Sequence, residues 1–175
     1  MSHGAVLGIV GWSGSGKTSL VKRLLHELVG RGVSVSTIKH AHAGFDIDTP
    51  GKDSHVHREA GAREVVVSSV NRFALIHENR DEPEPRIDGL LERMAPVDLV
   101  LIEGFKSEPH DKLEVHRPAV GKPALYPRDP DVIALATDGE AADAEIPVLD
   151  LNDAAAIADF IVAHCRLRPA ARGAA

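Results

Sequence analysis

The chain has one cysteine, Cys165, among 175 residues, which excludes an intrachain disulfide and any fold that depends on a disulfide framework. Basic charge is in deficit. Twenty Lys and Arg face 26 Asp and Glu, for a formal charge of −6, which argues against a nucleic-acid-coating protein or one held to an anionic membrane by a basic surface. No apolar run approaches the roughly 20 residues that span a bilayer. The start of the chain passes from Met1 to a short apolar run without the basic region and cleavage site of a signal peptide. The expected setting is the cytoplasm, with neither nucleic acid nor membrane as partner. Glycine and proline number 15 and 11, well below the roughly 25–30% that marks a low-complexity chain. No internal repeat and no domain linker interrupt the sequence.

What remains is a chain that is 43% hydrophobic and long enough for one α/β-sized unit at roughly 150 residues per domain. Ala5–Val10 reads as a buried strand. Leu20, Val21, Leu24, Leu25 and Leu28 then recur at helical spacing, Gly30 and Gly32 end that helix, and 33–38 reads as a second strand. Residues 39–52 form a loop, and Asp53 or Ser54 is expected to cap a short helix ending at Gly61. The β-prone runs 64–69 and 72–77, separated by Val70 and Asn71, predict an antiparallel hairpin appended to the sheet. A helix follows over 87–94, and 97–102 is a continuous apolar strand of the kind buried on both faces. Residues 113–116 read as an edge strand, 132–136 as a buried strand, 148–149 as a stub and 152–164 as a helix, with fraying from Arg166.

Gly11, Trp12, Ser13, Gly14, Ser15, Gly16, Lys17 and Thr18 fit G-x-x-x-x-G-K-[ST] between the first strand and the first helix, where a phosphate cradle must stand. Glycines let successive backbone N–H groups converge on phosphate oxygens, and the helix N-terminus adds positive partial charge. Lys17 reaches the β and γ phosphates, and the Thr18 hydroxyl can ligate Mg²⁺. Trp12 either shields the phosphates or belongs to a partner surface. The reading is a three-layer α/β fold of P-loop NTPase type with a mostly parallel sheet and an appended antiparallel hairpin. Residues 1–166 form one nucleotide-binding domain and 167–175 a flexible tail.

Such a cradle needs a carboxylate beyond the C-terminal end of a neighbouring strand. Glu103 stands there, whereas Asp98 lies at the opposite end of the same run; Glu103 is therefore the expected Mg²⁺ or water partner, and Gly104 is expected to leave its N–H open to a γ-phosphate. After the second strand, His40, His42, Asp46, Asp53, His55 and His57 admit two chemical readings besides that of a plain polar loop. Asp53 or Asp46 joins Mg²⁺ through water, or the four histidines hold a transition metal. Asp138, just past the strand 132–136, is positioned to accept from guanine, although the Asn-Lys-x-Asp signature is missing. Arg80, Lys106, Lys112, Arg117, Lys122 and Arg128 could offer charge to a second anion.

Gly11 to Thr18, Lys39-His40 with a Gly-Phe-Asp loop, Pro50 to Ser54 leading to Arg58-Glu59-Ala60-Gly61-Ala62, and Asp98 to Lys106 reading DLVLIEGFK together resemble the MobB family of molybdopterin-guanine dinucleotide biosynthesis adapter proteins. The resemblance covers nearly the whole chain. It implies a GTP-binding, weakly hydrolysing homodimer that uses Mg²⁺ and works beside the molybdenum cofactor guanylyltransferase, with molybdopterin or its guanine dinucleotide as a further ligand. It carries over the phosphate loop Gly11 to Thr18, with Lys17 and Glu103 as the catalytic pair and Thr18, Glu103 and Asp53 at the metal. The rival class is a small-molecule kinase with residues 106–128 as its lid.

Overall fold

Strands and helices alternate along most of the chain in the order β1 (Ala5–Val10), α1 (Lys17–Gly30), β2 (Val35–Lys39), α2 (Asp53–Glu59), β3 (Glu64–Ser68), β4 (Phe73–His77), α3 (Ile87–Leu91), β5 (Leu99–Glu103), β6 (Lys112–His116), β7 (Val132–Thr137), β8 (Val148–Asp150) and α4 (Ala154–His164). The computed structural model describes residues 3–41, 44–141 and 143–168. Two compact units account for it. One is Met1–His40 with Leu91–Ala175, and the other is Ala41–Leu90.

The first unit is a six-stranded sheet in the order β2-β5-β1-β6-β7-β8, and every pairing in it is parallel. This is the expected P-loop NTPase-like α/β class. Parallel strands need crossover connections, and α1 supplies the first, from β1 to β2 on the far side of β5. Its Leu20, Val21, Leu24 and Leu28 are buried against Leu7, Ile9, Leu99 and Leu101 of the strands and Ile157 and Ile161 of α4. Burying each such side chain contributes roughly 1.5–3 kcal/mol, so this helix is clamped to the sheet by its apolar stripe while its N-terminus stays at the sheet's C-terminal edge. β5 has Leu99, Val100, Leu101 and Ile102 at zero exposure, as its continuous apolar pattern predicts.

β6 corrects the sequence reading. Residues 113–116 are no edge strand; β6 lies between β1 and β7, and Lys112, Leu113, Glu114 and Val115 are all buried. Lys112 and Glu114 disguise it as an edge. Inside, the Lys112 ammonium meets Asp129 at 2.9 Å and Asp131 at 3.4 Å. The Glu114 carboxylate accepts from the backbone N–H groups of Leu125 and Tyr126. Both charges are thus paired or fully hydrogen-bonded, the condition for burying them. The first-edge strand β2 is shifted to Val35–Lys39 from the predicted 33–38.

α4 begins at Ala154 because Asp153 caps it, its Oδ1 accepting from the N–H of Ala156 at 2.9 Å. At the far end Arg166 takes φ 52°, with Arg166 N–H on Ala163 O and Leu167 N–H on Val162 O, a Schellman closure. Leu167 packs on the core, so ordered packing continues past Arg166, where fraying is predicted; residues 169–175 lie outside the described residues.

In the second unit β3 and β4 pair antiparallel, Val66 opposite Leu75 and Ser68 opposite Phe73. The predicted turn at Val70 and Asn71 is closed by Ser69 N–H on Arg72 O. The expected antiparallel hairpin is present as a two-stranded sheet of its own, in addition to the parallel one. α2 starts after Lys52, with no side-chain cap. Neither Asp53 nor Ser54 caps it, since the Ser54 hydroxyl donates instead to Asp48. α3 stops at Leu91, shorter than predicted. Arg58 holds the unit's loop by donating to Asp46, Asp48 and Glu78, and the Arg58 guanidinium holds the Asp46 carboxyl below its usual range.

Candidate functional site

β1 ends in the glycine-rich turn. Gly11 has φ 143°, and a Cβ there would sit 2.3 Å from the carbonyl oxygen of Val115, so only glycine lets the loop pass β6. Gly14 and Gly16 also take positive φ, and Gly16 is the N-cap of α1. That helix start has no side-chain cap and no acidic residue in its first turn, which leaves its orphan N–H groups and positive end for an anion. The Ser15 hydroxyl is buried without a hydrogen-bond partner. The Lys17 ammonium donates to Trp12 O at 2.9 Å, folded back on its own loop. Burial lowers the Lys17 pKa, Glu103 opposes that shift, and Lys106 and Lys39 add to it, so these three lysines share a field around one carboxylate.

Glu103 closes β5, beside β1, in register with Ile9 and Lys39. Thr18 Oγ1 donates to its Oε1 at 2.7 Å, and Lys39 Nζ lies 3.6 Å from the same oxygen. The cis edge of an Mg²⁺ octahedron is roughly 2.9 Å at the usual metal–oxygen distance, so the Thr18 and Glu103 oxygens already stand at a spacing one Mg²⁺ accepts. The donor set fits the ion. Asp98 is at the other end of the strand, accepting from the N–H and hydroxyl of Ser34, bonds that lower its pKa.

Gly104 has another role than the one expected of it. Its N–H points at Ile9 O, 3.3 Å away, and is not open to phosphate. Its glycine is required because φ is 109° and a Cβ would lie 2.7 Å from that of His40. Phe105 continues the turn at φ 49° and packs its ring 4.6 Å from the His40 imidazole.

Trp12 donates its indole N–H to Pro123 O at 2.7 Å, with the Lys106 ammonium 4.7 Å and that of Lys122 5.9 Å from the ring. Ser13 and Gly14 are exposed in the loop. Asp138 follows β7 and borders a pocket of about 360 Å³ with Thr137, Gly139, Leu149, Asp150 and Asn152. The basic residues divide. Lys112 is buried in its ion pairs, Arg80 donates to the carbonyls of Gly61 and Ala62, and Arg117 reaches the loop itself, its Nε 3.1 Å from Ser15 O. By sequence Arg117 is one of six cations that could offer charge to a second anion. Only its place at the end of β6, a strand misread as an edge, could have singled it out.

Asp53 and Asp46 belong to the second unit, where Asp53 opens α2 and is exposed. His40 closes the first unit's segment, His55 and His57 lie on α2, and His42 is outside the described residues. Among the described residues no three His, Cys, Asp or Glu side chains group as a metal site. The segment 106–128 is also a poor kinase lid, because it contains the central strand β6 and a loop fastened by Glu114.

A family model described as "MobB: Molybdopterin guanine dinucleotide synthesis protein B" matches residues 6–138. The chain is 41% identical over 160 residues to the molybdopterin-guanine dinucleotide biosynthesis adapter protein of Escherichia coli K12, covering 90% of this chain and 91% of that one. It is 42% identical to the protein of the same name from Haemophilus influenzae, over 89% of this chain and 86% of the other. Among solved structures, a molybdopterin-guanine biosynthesis protein B superposes with a TM-score of 0.72 at 27% identity, covering 92% of this chain and 99% of that one. A Bacillus stearothermophilus MobB homologue gives 0.65 at 26%, over 93% and 99%.

Proposed function

Because the chain belongs to the MobB family, we propose that it acts as an adapter in molybdopterin guanine dinucleotide biosynthesis, binding GTP with Mg²⁺ and hydrolysing it slowly. The observation that carries the reading is the convergence of Lys17, Thr18 and Glu103 on the uncapped start of α1. The backbone N–H groups of the loop from Gly11 to Thr18 hold the phosphates, and Lys17 leaves Trp12 O for their oxygens. Thr18 and Glu103 would hold the Mg²⁺, which when bound supplies positive charge to the phosphoryl oxygens. Asp138, at the pocket beyond β7, accepts from the N1–H and N2–H₂ of guanine, whereas adenine presents an unprotonated N1 to it.

Hydrolysis is slow for a stated reason. An arginine on the transferring phosphoryl group is worth 10³–10⁵ in rate, and no arginine adjoins the loop in sequence or stands in a recognisable lid motif, while Arg117 gives its Nε to Ser15 O and its Nη1 to Asp138. Turnover by the isolated chain therefore falls far below the roughly 1–100 s⁻¹ of kinases. Its partner is the molybdenum cofactor guanylyltransferase, with molybdopterin or its guanine dinucleotide as a bound ligand and the cytoplasm as the place of work. The chain pairs with a second copy through the hairpin face that carries Val66, Phe73 and Leu75, which are 62%, 74% and 42% exposed. Such an apolar patch on a two-stranded sheet marks an interface.

Titration with GTP and ATP, with and without Mg²⁺, tests the nucleotide reading: GTP binds more tightly, and Mg²⁺ strengthens it. Co-purification with the guanylyltransferase in the presence of GTP and molybdopterin tests the adapter role. Rapid phosphoryl transfer to a small-molecule acceptor, or no association with the guanylyltransferase, would overturn it.

A further inference from the structure

Arg117 leaves the end of β6 and lays its guanidinium along the flank of the phosphate loop. Its Nε donates to Ser15 O at 3.1 Å, and its Nη1 lies 3.1 Å from Oδ2 of Asp138. One side chain thus spans from the loop expected to hold phosphates to the carboxylate expected to read the base. The turns that carry the pair are in direct contact, since a Cβ on Gly139 would fall 2.4 Å from Cγ of Pro118. The Gly139 N–H in turn donates to the hydroxyl of Thr137 at 3.2 Å. Arg117 and Asp138 are therefore presented by two turns that cannot separate without opening that contact.

We infer that Arg117 is the specificity-setting positioning residue of the site: it aims the Asp138 carboxylate and fixes its distance from the phosphate loop. The inference rests on the GTP reading above. A carboxylate at a strand end turns freely about its side-chain bonds. With Oδ2 held by Arg117, Oδ1 is the oxygen left to accept from the donor edge of guanine. The guanidinium is suited to this because its planar fork fixes the directions of its bonds relative to one another, whereas an ammonium on a flexible stem is a point donor with no fixed fork. With Nε on Ser15 O and Nη1 on Asp138 Oδ2, Arg117 is placed to act through Asp138.

Binding of GTP, ATP and inorganic tripolyphosphate, each with Mg²⁺, is compared in the wild type, Arg117→Ala, Arg117→Lys, Asp138→Asn and the Arg117→Ala/Asp138→Asn double variant. Arg117→Ala is expected to weaken GTP by roughly tenfold while ATP and tripolyphosphate change by less than about threefold. Arg117→Lys restores part of the loss by remaking one contact. In the Asp138→Asn background, loss of Arg117 moves the GTP-to-ATP ratio no further, as for two residues acting as a unit. Equal weakening of all three ligands, or an unchanged GTP-to-ATP ratio, would overturn the inference. Should Arg117→Ala fail to melt cooperatively, Arg117→Gln carries the same expectation with the bulk retained. A wild type with no preference for GTP would instead defeat the reading of the site, and that result is visible before any variant is compared.

Discussion

Thr18 Oγ1 and Glu103 Oε1, 85 positions apart in sequence, share a hydrogen bond of 2.7 Å. The bond joins the first turn of α1 to the end of β5 and sets a hydroxyl and a carboxylate at a spacing that one Mg²⁺ would accept. Lys39 neutralises part of the carboxylate's charge from the neighbouring strand, so Glu103 is held from both sides.

Glu103→Gln keeps the shape of this corner and removes its charge. GTP affinity is expected to stay within about tenfold of the wild type while Mg²⁺-dependent hydrolysis falls. Phosphate-release assays across an Mg²⁺ series check this. Equal rates would hand the role to another carboxylate.

Lys17→Ala removes a partly buried ammonium that donates to Trp12 O. Triphosphate affinity should fall by roughly ten- to a hundredfold, the value of a charge-assisted contact, with the melting temperature little changed because the apolar stripe of α1 is untouched. Calorimetric titration beside a thermal melt decides it. Unchanged affinity would remove the phosphate role from Lys17.

Cys165, at the C-terminal cap of α4, has its thiol pushed up from the ordinary 9.0 to about 11, first by burial and then by the Asp111 carboxylate. The folded chain keeps this proton between pH 9 and 11, where the unfolded chain loses it. The group thus contributes stability that is complete below the ordinary value and is lost as pH rises through about 11. At pH 8 alkylation by iodoacetamide should be about a hundredfold slower than in the urea-unfolded chain, following the thiolate fraction. Comparable rates would show the thiol to be open to solvent.

Phe73→Glu places a charge on the exposed face of the hairpin, next to Val66 and Leu75. Sedimentation velocity is expected to find a dimer in the wild type and a monomer in the variant, since a desolvated unpaired carboxylate at an interface is strongly unfavourable. The same distribution in both would place any dimer contact elsewhere.

Local pattern was enough for much of this protein. An apolar strand, a loop of three glycines and a helix with leucines at 20, 24 and 28 are each encoded within a few residues. The phosphate loop was therefore legible, as was β5 with Glu103 at its end and Asp98 at the wrong one. Those readings depend on spacing along one segment, where the period of the element and the end of the apolar run give the direction of each side chain. The hairpin was legible for the same reason, through its alternating runs and two-residue turn.

Tertiary structure decided what depends on neighbours far along the chain. β6 lies at the centre of the sheet although Lys112 and Glu114 make it look like an edge, because Asp129, Asp131 and the backbone of Leu125 and Tyr126 satisfy both charges there. Once β6 is central, the residue that follows it is carried to the phosphate loop, and Arg117 meets Ser15, more than a hundred positions earlier. Gly104 was assigned a phosphate-facing N–H, but β1 takes that donor and the close approach of His40 explains the glycine. Such pairings follow from strand order, which the period of a single segment does not carry and which only the packed sheet settles.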